Sequence, residues 1–192
     1  MSSMTMFESD KTTNSPAGRP IKVHIYTIGH SNRTLNDFLE ALTVRGVNCV
    51  VDVRSIPYSS YNKEFSRKNL QYELPRRGFK YVWLGESLGG IRPELENSAG
   101  FRNDEAFNSN ASYRQGLVQL LRLALTHTVV VMCSEEDPRN CHRHKLIADS
   151  LLHRRTPETR QIIECQIDHI RANGNVEDAA KVKVTTQMVM PI

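Results

Sequence analysis

Apolar and polar residues alternate from Ile21 to Ile28 (IKVHIYTI), a β-branched run that predicts a first strand. Gly29-His30-Ser31-Asn32-Arg33 breaks it. A helix is expected next, with Thr34 as N-cap and Asp37 three residues on; Leu35, Phe38, Leu39 and Leu42 recur at helical spacing until Gly46. Val47–Val53 (VNCVVDV) is almost continuously apolar, the pattern of a strand covered on both faces. Ser66 is placed to cap a helix carrying Leu70 and Leu74, which Pro75 should bend or shorten. Phe79–Leu84 reads as a third strand and residues 85–110 as loop. Tyr113, Leu117, Leu120, Leu121, Ala124 and Leu125 form the clearest helical stripe, and Thr128–Cys133 (TVVVMC) the strongest buried strand. Asp137-Pro138 offers an N-cap and a first-turn proline for a helix reaching about Leu152. Ile163, Cys165, Ile167 and His169 alternate in a fifth strand.

The alternation of strand and helix predicts an α/β fold, a mostly parallel sheet of about five strands with helices on both faces. Residues 1–20 read as a flexible N-terminal segment, 21–175 as a single α/β domain and 176–192 as a tail of uncertain structure. In such folds ligands bind at the carboxyl ends of the strands. Composition adds bounds. The chain has 192 residues, long enough to bury a core without disulfides or a structural metal. No apolar run approaches the roughly 20 residues that span a bilayer, and the polar N-terminus has no signal core, so a cytoplasmic location with no membrane partner is expected. Four irregularly spaced cysteines read as reduced thiols. A net charge of +4 is too small to demand nucleic acid but suits an anionic ligand.

Four segments fall at the predicted strand ends: Thr27-Ile28-Gly29-His30-Ser31, Asp52-Val53-Arg54-Ser55-Ile56-Pro57, Leu88-Gly89-Gly90, and Cys133-Ser134-Glu135 followed by Cys141-His142-Arg143. In this order and spacing the chain resembles the domain-of-unknown-function 488 family over about residues 23–170. The resemblance implies an α/β domain and, by context, a link to DNA or nucleotide metabolism.

The residues themselves offer several chemistries. Gly29 permits a tight strand-to-helix turn, Ser31 can bond an anion, and His30 can exchange protons near neutral pH. Asp52 and Arg54 alternate about Val53 and so face opposite sides unless the strand has already ended; Arg54 would then hold an anionic substrate and Asp52 orient a neighbour, or the two would close the core as an ion pair. Gly89 and Gly90 let backbone approach a ligand. The Cys133-to-Arg139 spacing is that of phosphate-handling cysteine enzymes, but no glycine lets the loop curl and three carboxylates intervene. Cys141, near the start of the helix expected from Pro138, is the candidate nucleophile. On that helix Arg139 and Arg143 would form one cationic edge, Cys141 and His144 would share a face with His142 pointing elsewhere, and His144, Lys145 and His153 would be solvated. Cys133, Cys141, His142 and His30 have the types for tetrahedral zinc, but no CxxC or HExxH spacing exists, and no metal ligand is assigned. The loop from Tyr58 to Phe65 reads as ordinary packing, and Tyr81 and Trp83 as core or cleft wall.

The expectation is an enzyme acting on an anionic substrate, derived from a nucleotide or nucleic acid, in a cleft at the strand ends. His30, Cys141, His142, Glu135 and Asp52 would carry catalysis. Gly29, Ser31, Arg54, Gly89, Gly90, Cys133, Arg139 and Arg143 would bind substrate. The alternatives are a non-catalytic nucleotide- or nucleic-acid-binding module and a metal-binding redox or stress protein.

Overall fold

In a computed structural model of the protein, residues 19–58, 62–90, 110–153 and 162–183 are described. Five strands run parallel: β1 (Ile21–Gly29), β2 (Cys49–Asp52), β3 (Lys80–Trp83), β4 (Val129–Cys133) and β5 (Ile163–Ile170). A sixth, β6 (Val176–Asp178), pairs antiparallel with β5. The sheet order is β3-β2-β4-β1-β5-β6. The sixth strand extends the sheet beyond residue 175, into the segment read as tail. Its three residues are too short and polar for periodicity to register.

Among the described residues the α-helices are α1 (Leu35–Thr43), α2 (Arg67–Arg76), α3 (Gly85–Leu88), α4 (Ala111–Ala124) and α5 (Asp149–His153). Local chemistry sets the first of these. Thr34 accepts the Asp37 N–H at 3.1 Å and donates its hydroxyl to the Asp37 carboxylate at 2.8 Å. Ser66 stands before α2, and Pro75 falls in that helix's last turn. The short α3 occupies the start of the segment read as loop; its remainder from residue 91 to 109 lies outside the described residues, as do residues 1–18.

Two cores lie on opposite faces of the sheet. Phe38, Leu39 and Leu42 of α1 and Leu70 and Leu74 of α2 pack on Ile28, Val50, Val130 and Met132. Leu117, Leu120 and Leu121 of α4, with Ile147 and Leu151, pack on Ile25, Val51, Val129 and Val131. The chain leaving the central strand β4 enters the second face, whereas β1 and β2, its neighbours, lead into α1 and α2 on the first. Neighbouring strands thus send the chain to opposite faces, the topological arrangement at which open α/β sheets bind ligands. Among the described residues no helix is long and apolar enough to cross a membrane.

The helix expected from Pro138 to about Leu152 is broken. Asp137 does cap, but it caps a 3-10 turn, Pro138–Asn140. Cys141 then returns to extended backbone (φ −119°, ψ 141°), and a π-helical turn over Arg143–Ala148 leads into α5. The wider turn lets adjacent Arg143 and His144 both point inward, and they are 0% and 6% exposed.

Candidate active site at the strand ends

The backbone ladder between β1 and β4 runs past the strands. Gly29 sits opposite Cys133, the His30 N–H bonds the Cys133 carbonyl at 2.9 Å, and the Ser31 N–H bonds the Ser134 carbonyl at 2.9 Å. Only glycine fits at position 29, because a Cβ there would stand 1.7 Å from the Glu135 carbonyl oxygen. Ser31 completes the turn at φ 42°, a left-handed conformation that L residues rarely hold.

On the α1/α2 face the site is a closed ionic cluster. β2 ends at Asp52, so Asp52 and Arg54 pair directly. Arg54 grips the carboxylate through Nε (2.9 Å) and Nη2 (2.6 Å), donates Nη2 to the Phe65 carbonyl (2.8 Å), and donates Nη1 to His30 Nε2 (3.1 Å). The Tyr81 hydroxyl donates to the same carboxylate at 2.8 Å. Since Nε2 of His30 accepts, its Nδ1–H donates to the Ser31 carbonyl at 3.2 Å. The ring stacks on Phe65, and burial with the Arg54 charge lowers its pKa to about 4. Asp52 is 0% exposed and Arg54 4%. Arg54 is therefore held among protein groups, and Asp52 orients Arg54 rather than His30 directly.

The opposite face carries sulfur. Cys133 Sγ, Cys141 Sγ and a His142 ring nitrogen lie within 4.8 Å of one another. His142 Nε2 donates to the Val53 carbonyl at 3.1 Å, which leaves Nδ1 bare and facing both sulfurs, 3.7 Å from Cys133 and 3.9 Å from Cys141. The expected geometry of this segment is thus inverted: His142 joins the cysteines, and His144 turns away into the core. A Cβ on Gly90 would lie 2.7 Å from His142 Nδ1, so the α3 end presses bare backbone against the imidazole; Gly89 meets Ser55 and Gly85 as closely. His30 does not join this group.

The two thiols differ. The Cys133 pKa is lowered: the Cys141 S–H donates to its sulfur, against the cost of burial, and the N–H groups of Ser134 and Glu135 and the Arg143 charge add to the effect. Cys141 is pushed up, because it holds the proton it donates to Cys133 and is itself buried. Of the two sulfurs, Cys133 is the one whose pKa is lowered.

Arg143 is a strut. It donates to the Glu135 carbonyl, to the Glu136 carbonyl at 2.6 Å and, through Nε, to Thr27 Oγ1 at 3.3 Å. From there a buried chain continues: Thr27 Oγ1 to His169 Nδ1 (2.6 Å), His169 Nε2 to His144 Nδ1 (3.0 Å), and His144 to the Val182 backbone. His144 is therefore buried, not solvated. Arg139 shares no edge with Arg143; it lies in the 3-10 turn and pairs with Asp137 and with Glu177 of β6. Arg171 joins Glu136 (2.9 Å) and Glu177 (2.6 Å) nearby. The Glu135 side chain is exposed, and its contribution here is its carbonyl.

Sequence reasoning gave Thr27, His169 and His144 no place in the site. The signal was available for two of them. Thr27 follows Val23 and Ile25 on the inward phase of β1, His169 follows Cys165 and Ile167 on β5, and the two stand in register. A polar residue closing each apolar phase marks a paired polar end.

No curated protein matches the chain. No solved structure matches it either. The model of the family described as domain of unknown function DUF488 matches residues 34–151, which carry Asp52, Arg54, the glycine pair, both site cysteines, His142 and Arg143, and the chain belongs to that family.

Proposed function

We propose that the protein is an enzyme whose reaction centre is the cluster of Cys133, Cys141 and His142 at the carboxyl ends of β4 and β2, with Cys133 as the thiolate on which the chemistry turns. One observation supports this above the others. Three side chains with soft or basic lone pairs, from two separate turns of chain, come together at the strand ends. Inert buried cysteines have no need of a histidine whose tautomer is fixed by a backbone carbonyl. Thiolate is the working form of cysteine both as nucleophile and as ligand, and the N–H groups of Ser134 and Glu135 favour it. The arginines expected to clamp an anion spend their donors inside the protein, so the charge of the substrate rests on other groups.

The test is turnover of a panel of activated carboxylic and phosphate esters by the wild type, Cys133→Ser, His142→Ala and Cys165→Ser. Loss of about 100-fold or more is expected for the first two variants, with Cys165→Ser unchanged. Full activity in Cys133→Ser would place the chemistry elsewhere.

A further inference from the structure

The sulfur–imidazole cluster can be asked what sits at its common point. A hydrogen-bonded cluster and a metal site make different demands. The single Nδ1 lone pair of His142 can accept only one S–H, so a thiol–imidazole bond would draw the ring toward one sulfur. Instead Nδ1 stands nearly midway, at 3.7 and 3.9 Å. A tetrahedral zinc ion, with about 2.3 Å to sulfur and about 2.0–2.1 Å to nitrogen, sets S···N separations of about 3.6 Å and an S···S separation of about 3.8 Å. The two S···N distances fall close to that value, and the sulfurs lie within the 4.8 Å span.

The surroundings match as well. A ligating histidine donates its other N–H to a carbonyl or carboxylate, as His142 does to Val53. Thiolate ligands are steadied by backbone N–H groups; the Arg143 N–H reaches Cys141 Sγ at 3.5 Å, and Ser134 and Glu135 serve Cys133. Among the described residues no fourth histidine, cysteine or carboxylate joins the three. Three protein ligands with a fourth position for water or substrate is the arrangement of catalytic rather than structural zinc.

We infer that Cys133, Cys141 and His142 bind one zinc-class divalent cation, leaving one coordination position for an exchangeable ligand. This rests on reading the trio as the working centre, and it assigns the thiolates to the cation rather than to attack on substrate. Bound there, the cation would polarise an oxygen of water or substrate. No residue changes oxidation state; binding releases the thiol protons, and His142 binds as the neutral imidazole.

The experiment uses the full chain, kept reduced, stripped with a chelator and titrated with Zn²⁺ against a chromophoric chelator and with Co²⁺ by absorption. The expected result is one equivalent per chain, sulfur-to-cobalt charge-transfer absorption with tetrahedral d–d intensity, and a spectral shift on adding azide. Cys133→Ser, Cys141→Ser and His142→Ala should each weaken binding by about 100-fold or more, while Cys165→Ser binds normally. Circular dichroism identifies any variant that has simply unfolded, and the near-isosteric Cys133→Ser keeps the test valid if His142→Ala does. Absence of stoichiometric binding by the folded wild type overturns the inference, yet leaves the thiolate centre standing if Cys133→Ser still loses turnover. Tight binding with no azide shift and unchanged turnover in Cys133→Ser overturns both the exchangeable position and the catalytic reading.

Discussion

Two buried polar clusters flank the same strand ends. On the α1/α2 face, Asp52, Arg54, His30, Tyr81 and the Phe65 carbonyl bond one another, and each of the three guanidinium nitrogens donates to protein. On the other face, the ligand atoms of Cys133, Cys141 and His142 lie within 4.8 Å of one another, with no buried ion pair among them. Both clusters are built from residue types that do chemistry, and both sit where ligands bind in open α/β sheets. Saturation separates them. A buried charge matched by its own neighbours holds loops in place, whereas convergent lone pairs leave something to be bound.

Mutation should split the two. The largest effect is expected from Arg54→Ala, which strands the Asp52 carboxylate in the core, and from Arg143→Ala, which releases the Glu135 and Glu136 carbonyls. Each should cost about 3–5 kcal/mol in urea unfolding. Cys133→Ser, by contrast, should change stability by less than about 1 kcal/mol while abolishing cation binding. A stability loss in Cys133→Ser as large as that in Arg54→Ala would erase the distinction.

Next in size, Gly29→Ala drives a Cβ into the Glu135 backbone and should destabilise by about 1–3 kcal/mol. Gly90→Ala meets a ring that can tilt. It should leave stability nearly intact and lower cation affinity by about 10-fold, since it displaces a ligand rather than removing one.

Acid should act on the ionic cluster and on the buried Thr27–His169–His144 chain. His30, beside Arg54, Asp52 and Phe65, has its pKa lowered to about 4; His169, beside His144, Thr27 and Arg143, has its own lowered to about 3, in each case chiefly by burial. The unfolded chain takes these protons near 6.5, so it binds more protons than the native state below that pH. Stability should therefore fall as pH drops from about 6.5 through 4 and toward 3, and His169→Gln should flatten the lower part of the curve in calorimetry. The smallest effect is expected from Glu136→Gln. Its carboxyl, held down to about 2 by Arg171, is part-exposed, and loss of this pair should cost about 0.2–1 kcal/mol at neutral pH and less as pH falls toward 2.

Much of the frame was legible. Five strands, the Thr34 cap and the α4 stripe follow from periodicity and local chemistry, because their causes lie within a few residues. The break at Cys141 was not. Arg139 turns to Glu177, 38 residues on, and Arg143 to carbonyls across the loop, so distant partners decide where the helix starts. The same break swings His142 onto the sulfurs and sends His144 to His169. A reading that assumed an unbroken helix had to misplace all four residues, Arg139, His142, Arg143 and His144. The types needed for a tetrahedral site were visible; the eight-residue step from Cys133 to Cys141 hid their meeting.

The bonds from His30 and Ser31 to the Cys133 and Ser134 carbonyls do more than extend a ladder. A trans peptide unit points its N–H opposite to its C=O. Fixing those two carbonyls toward β1 therefore turns the Ser134 and Glu135 N–H groups toward the Cys133 sulfur. The first loop thus sets the electrostatic potential at a sulfur it never touches, through two rotated dipoles. Reshaping the turn at Ser31 would retune that sulfur while every sulfur, nitrogen and guanidinium of the centre stays in place.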